Sequence, residues 1–333
     1  MNSYERLMAR LKGEAVDRVP NLCILMAFAA KYADIPYRDF CLCPEKMVEA
    51  NLKYHKDFDI DIVTVMSDPY GEAMDYGMKV RFPENENPRV VNYFWDDEAD
   101  AESLPVLTMD KTTRMRDRVK TIKLYADAVK GKCPIAGWVE GAVAEYCDLR
   151  NINEAMMDFA DGDDSVDEIL MKITEQDKLY IREQLEAGAD IIGVGDAACS
   201  LLGPALYAKY GFPYEKIMID TIHKYGGLAK LHICGNIGPL IPKIAELGAD
   251  IVDVDWMVDF EYAAKTLKGI SSVNGNFDPV SVILSGTPES IRDAVLHCLK
   301  VGGDRCLISA GCEVPRDTPV ENLMAVAETL KSC

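Results

Sequence analysis

Glu186-Ala187-Gly188-Ala189-Asp190-Ile191-Ile192 and Glu246-Leu247-Gly248-Ala249-Asp250-Ile251-Val252 repeat one pattern. Each places a glycine after a helical stretch, where a left-handed C-cap is wanted, and an acidic residue before a β-branched run. The pattern is the joint of a repeating βα unit. Outward from it, short apolar runs recur at 19–26, 59–66, 134–139, 189–195, 228–233, 249–254, 270–274 and 305–309. Most are followed by a helical stretch. Eight strands alternating with helices imply a parallel sheet closed into a (β/α)8 TIM barrel. The alternative, an open doubly wound sheet, calls for a Gly-x-Gly-x-x-Gly turn if it binds a nucleotide, and none follows the first strand. From about 77 to 97 the period changes. Lys79 to Phe82 and Val90 to Trp95 flank Pro83-Glu84-Asn85-Glu86-Asn87-Pro88, which reads as a β-hairpin inserted after the second strand. The chain, 1–333, is expected to be one barrel domain carrying that insertion.

With 49% hydrophobic residues in 333, there is material for one large core. A net charge of -19, with no cluster of lysine or arginine, excludes nucleic-acid backbones and anionic membrane surfaces as partners. Eleven cysteines without a signal peptide point to a reducing cytosol instead of a disulfide framework. No apolar run approaches the ~20 residues that cross a bilayer. A soluble, cytoplasmic protein is expected.

Active sites of this fold sit at the carboxyl ends of the strands. His232 and Cys234 end the strand from Leu228 to Ile233, and residues i and i+2 of a strand share a side. Cys312 follows the last strand, between Gly311 and an acidic, proline-rich loop. If both strands belong to one barrel, an imidazole and two thiols meet. Such a set leaves a tetrahedral zinc ion with an open position, the catalytic pattern. The competing reading is plain packing, since cysteine and histidine are often buried. Against it stand the strand ends, the Gly235 turn and the equivalent placement of the third group. Asp255 ends the neighbouring strand and is the candidate for a displaceable fourth ligand. Asp68, Glu140 and Asp196 end other strands and are expected to line the pocket, although strand-end acids also cap helices. Glu140 follows Gly137-Trp138-Val139, which suits a ligand wall. A zinc centre of this kind can lower a thiol's pKa or polarise an ether oxygen, and both serve methyl transfer.

Leu11-Lys12-Gly13-Glu14-Ala15-Val16-Asp17-Arg18-Val19-Pro20 resembles the opening of the uroporphyrinogen decarboxylase superfamily. His232-Ile233-Cys234-Gly235-Asn236, the Asn274-Gly275-Asn276 turn and Gly311-Cys312 through Thr318-Pro319 resemble its zinc-dependent, corrinoid-linked methyltransferase branch. That branch holds methylcobamide:coenzyme M methyltransferases and the O-demethylase methyltransferases that act on methoxylated aromatics. The resemblance implies a TIM barrel, one Zn2+ held by His232, Cys234 and Cys312, and a corrinoid protein docked over the mouth. It implies that Asn236, Asn274 and Asn276 face the cobalamin-type cofactor of that partner. Departures count too. The decarboxylases carry an arginine-rich Met-Arg-Gln-Ala-Gly-Arg-Tyr segment where this chain has Ile24 to Tyr32, and a Gly-His-Gly where it has Ala310-Gly311-Cys312. A pocket without those arginines faces a large desolvation cost for a polycarboxylate. The expected function is methyl transfer between a small substrate, leaning to a methoxylated aromatic donor, and a corrinoid protein. The alternatives are a coenzyme M-type thiol methyltransferase, a decarboxylase, or a non-catalytic corrinoid- or metal-binding barrel.

Overall fold

The computed structural model describes residues 1–162 and 164–333. Its strands are β1 (Val63–Thr64), β2 (Lys79–Arg81), β3 (Arg89–Asn92), β4 (Ile135–Glu140), β5 (Ile191–Gly195), β6 (Leu228–His232), β7 (Ile251–Asp253), β8 (Ser272–Phe277) and β9 (Leu307–Ala310). Seven of them form one curled parallel sheet in the order β1-β4-β5-β6-β7-β8-β9, and helices cover its outer face in α/β barrel fashion. β2 and β3 pair antiparallel, Arg81 opposite Arg89, as the inserted hairpin expected from the sequence. The strands of the parallel sheet are short and largely buried, as a parallel sheet covered on both faces requires. Leu231 and Val252 are partners across β6 and β7 and almost wholly buried, each worth roughly 2 kcal/mol over exposure.

The expected first strand, 19–26, is a correction. Only Asn21 pairs, in a single parallel bridge to Ile308. Ile308 N–H donates to Pro20 O at 3.0 Å, Leu22 N–H to Ile308 O at 2.8 Å and Asp61 N–H to Asn21 O at 2.7 Å, so this short contact joins the two ends of the sheet. Pro20 has no N–H to extend a ladder. The local pairing is reinforced from below by Asp61, fully buried, which takes Arg6 Nη1 at 2.7 Å, Arg18 Nη1 at 2.6 Å and Asn21 N–H at 2.9 Å. The opening motif therefore holds the barrel's seam. A second correction concerns Asn274-Gly275-Asn276, which is no turn but the middle of β8.

Register sets the level of the mouth. Glu140 stands beside Gly195, Gly195 beside His232, and His232 beside Asp253. The glycines of β5 have a steric cause. A Cβ on Gly193 or Gly195 would come within 2.3 Å of the Trp138 ring, which lies across both. Trp138 is thereby laid against the floor of the mouth, 5.9 Å from the His232 ring.

Candidate metal centre

His232 is the last residue of β6, and Gly235, at φ +91°, turns the chain so that Cys234 stays over the mouth. Cys312 arrives from the end of β9 by way of Gly311, where a Cβ would stand 2.4 Å from the Trp256 amide nitrogen. No larger residue permits that approach. His232 Nε2 lies 3.0 Å from Cys234 Sγ, and the Cys234 and Cys312 sulfurs are 3.3 Å apart. The three donor atoms all lie within 4.8 Å of one another. Ligand atoms around a tetrahedral zinc, at bond lengths of about 2.0–2.3 Å, stand roughly 3.3–3.8 Å apart. The set therefore fits zinc in chemistry and nearly in spacing.

The outer side of the imidazole is also prepared. His232 Nδ1–H donates to Asp253 Oδ2 at 2.7 Å, which leaves Nε2 for an ion. Asp253 in turn receives the ammonium of Lys230 and, on Oδ1, the Asn274 amide at 2.8 Å. Burial works to raise the Asp253 pKa, but Lys230 and His232 outweigh it and hold this carboxylate below its ordinary range. Burial opposes a charge on His232, yet Asp253 and Cys312 raise its pKa to about 9. The hydrogen bond from Cys234 is the main cause that holds the Cys312 thiol down to about 4, and the same contact pushes Cys234 up.

The other expected groups part company. Asp255 accepts from Gly235 N–H at 2.8 Å and Met257 N–H at 3.3 Å, lies outside the donor cluster and ties down the turns on either side of it. Asp196 does not line the mouth. It is fully buried, accepts Ala144 N–H at 2.8 Å and faces Cys199 and Glu215. Asn274 is buried under Asp253, and Asn276 donates to Asp255 O at 3.2 Å and Val258 O at 2.8 Å, so neither is free to meet a docked cofactor. Asn236 is exposed on its turn at the rim, where it accepts Gly238 N–H at 3.2 Å. Asp68 and Glu140 do line a cavity of about 160 Å³ above the cluster, with Met26, Met66, Trp138 and Glu313. Arg114 Nη2 reaches Asp68 at 2.6 Å and Arg118 at 3.2 Å; against the effect of burial they keep its pKa low. Glu140 has no such cation. Burial first, then Glu72, raises its pKa well above the ordinary value, and its Oε1 accepts Trp138 Nε1–H at 2.8 Å. Burial likewise lifts Glu313 to about 7. Among the described residues, no lysine or arginine lines this cavity.

Comparison with known proteins bears on the geometry just given. Residues 2–333 match the uroporphyrinogen decarboxylase (URO-D) family. The chain belongs to that family. Among curated proteins of this kind, it is 26% identical to the methylcobamide:CoM methyltransferase MtbA of Methanosarcina mazei over 98% of this chain and 97% of that protein. It is 26% identical to the uroporphyrinogen decarboxylase of Carboxydothermus hydrogenoformans, covering 91% and 88% of the two. A solved methyltransferase from Methanosarcina mazei superposes with a TM-score of 0.88 over 100% of this chain and 99% of that one, at 22% identity, and shares its fold. No helix among the described residues is long and apolar enough to cross a membrane.

Identity to methyltransferase and decarboxylase alike leaves this URO-D family chain to be placed by its own side chains. The sequence reading missed Asp253, Lys230 and Glu313. Asp253 and Asp255 stand two residues apart at the end of one apolar run, and only the pairing of β6 with β7 shows which of them meets His232. Glu313 follows Cys312 directly, and in the sequence nothing sets it apart from the acidic, proline-rich loop that it opens.

Proposed function

We propose that the chain is a zinc-dependent methyltransferase that moves a methyl group between a small molecule and the cobalt of a corrinoid carried by a partner protein. One observation carries this reading. An imidazole and two sulfurs converge under an open cavity, with the imidazole's other nitrogen already engaged by a carboxylate. With three protein donors, a bound zinc keeps an open position and supplies Lewis acidity to an oxygen or sulfur of the guest.

The protein's own groups favour removal of a methyl group from a methoxylated guest, aromatic in the form we prefer. Trp138, Met26 and Met66 give the cavity apolar walls that shed water around a ring. When the methyl group passes to the cobalt(I) of the partner's corrinoid, the O–CH3 bond breaks and its electron pair stays on oxygen. That oxygen then needs one proton. Glu140 lines the cavity, burial raises its pKa and so favours its protonated form, and it is the group assigned to donate it. The products are an alcohol or phenol and methyl-cobalt(III). The similarity to MtbA favours a second reading, transfer to the thiol of coenzyme M. Its sulfonate would enter a cavity with no lysine or arginine in its lining, at the cost of an unpaired buried charge. The same absence argues against a porphyrinogen polycarboxylate.

The test is metal analysis followed by incubation of the zinc-loaded chain with cob(I)alamin and a panel of methoxylated aromatics. We expect about one zinc per chain and the methylcobalamin spectrum. Transfer from methylcobalamin to coenzyme M, with no methoxylated donor used, establishes the second reading; transfer in neither direction abolishes both.

A further inference from the structure

We propose that Lys230 is a positioning residue that balances the charge of the metal centre and, by sharing Asp253 with His232, loosens the centre's hold on its ion. The inference rests on the metal centre proposed above. Lys230 precedes His232 by two residues on β6, so both side chains leave the same side of the strand. The Lys230 side chain is only 6% exposed, a placement a lysine rarely takes without a partner. Its ammonium and the His232 Nδ1–H both donate to a single atom, Asp253 Oδ2. Asn274 occupies the other oxygen. The carboxylate is therefore shared between a cation and a ligand, and a stronger bond to one weakens the other.

The charges sum to a simple result. Two thiolates, the Asp253 carboxylate, the Lys230 ammonium and a neutral imidazole together carry two negative charges, which a divalent ion cancels. Without Lys230 the same buried groups carry three, and the loaded centre keeps one uncompensated negative charge. The attraction for a cation then rises. At the same time Asp253 Oδ2 is left to His232 alone, which makes the imidazole a more electron-rich ligand. Both effects act in one direction. Lys230 weakens the grip on the metal and leaves the open position more acidic towards an incoming oxygen or sulfur. A lysine that served only to neutralise Asp253 during folding would change stability but not the electronic character of the bound metal.

Lys230→Met and Lys230→Arg are compared with the unaltered full chain. Zinc affinity is measured by competition with a chelator, and cobalt(II) is substituted to read the thiolate-to-cobalt absorption band. Lys230→Met is expected to bind zinc at least about tenfold more tightly and to shift that band, whereas Lys230→Arg stays within about twofold and leaves the band in place. Should Lys230→Met fail to fold without metal, refolding it in the presence of cobalt(II) still reports the band. Equal or weaker zinc binding in Lys230→Met, with the band unmoved, overturns the inference. Failure of the unaltered chain to bind zinc overturns the metal centre itself, and the inference with it.

Discussion

Asp253 and Glu140 are two buried carboxyl groups on the same face of one barrel, 4% and 8% exposed, and their pKa values are shifted in opposite directions. Asp253, at the end of β7, is surrounded by an ammonium, an imidazole and an amide, all of them donors. Glu140, at the end of β4, has one indole N–H and the carboxyls of Glu72 and Asp196 among its neighbours. Burial pushes both pKa values up; only Asp253 has cations to reverse it. The β6–β9 side of the mouth thus holds an obligatory anion that orients a ligand. The β4 side holds Glu140, a carboxyl whose raised pKa favours the form that can give a proton. The barrel supplies burial to both, and the partners choose the charge.

The largest effect expected from breaking this contrast is at the ligand side. Cys312→Ser should lower zinc affinity by about a thousandfold or more and abolish methyl transfer, read by metal analysis and the methylcobalamin assay. Asp253→Asn should cost about 10–100-fold in zinc affinity, since it keeps the shape of the partner and removes its charge. At Glu140 the same swap of oxygen for nitrogen has the reverse profile. A protonated carboxyl and an amide are nearly alike, so Glu140→Gln should change the free energy of urea unfolding by less than about 1 kcal/mol. Its demethylation rate should fall by about 10²–10⁴, because an amide has no proton to give. A loss of several kcal/mol in Glu140→Gln would show an ionised group there and erase the distinction.

What could be read from the sequence was whatever a single strand or joint encodes. The i, i+2 spacing of His232 and Cys234, the Gly-Ala-Asp joints and the hairpin around residues 83–88 are local and were legible. So was the arrival of Cys312, because strand ends of a barrel share a face. The misplacements are tertiary. Asp253 and Asp255 are equivalent in a strand pattern, and the register His232 to Asp253 is what separates them. Asp196 reads like any strand-end acid, yet it points away from the mouth into the space left by Gly141, where a Cβ would come within 2.3 Å of its carboxyl carbon. The first strand reads as continuous because its residues are apolar, while the pairing it makes stops at one bridge beside Pro20. Arg114 and Arg118 lie on a charged helix and betray nothing of the inward ion pairs with Asp68.

The smallest expected effect, spread over many groups, is on the dependence of stability on pH. Burial holds Glu72 to about 7, Asp196 to about 7 and Glu215 to about 8, against roughly 4 in an unfolded chain. Across that interval the folded chain binds more protons than the unfolded one, so stability falls as pH rises. Glu140, Glu145 and Asp177 lie on the same side of the balance. Asp17 and Asp68 act oppositely: Arg6 holds the first low, and Arg114 and Arg118 hold the second low despite its burial. Their contribution is present above about pH 4 and is lost as pH drops below it. Thermal melts in the presence of a chelator should therefore give the highest Tm near pH 5, with a decline towards pH 8. Glu215→Gln removes one of the groups that titrate on the alkaline limb and should flatten it while leaving the acid limb unchanged. A Tm that climbs steadily from pH 5 to 8 would mean that these acids are ionised in the fold, and the proton assigned to Glu140 would lose its basis.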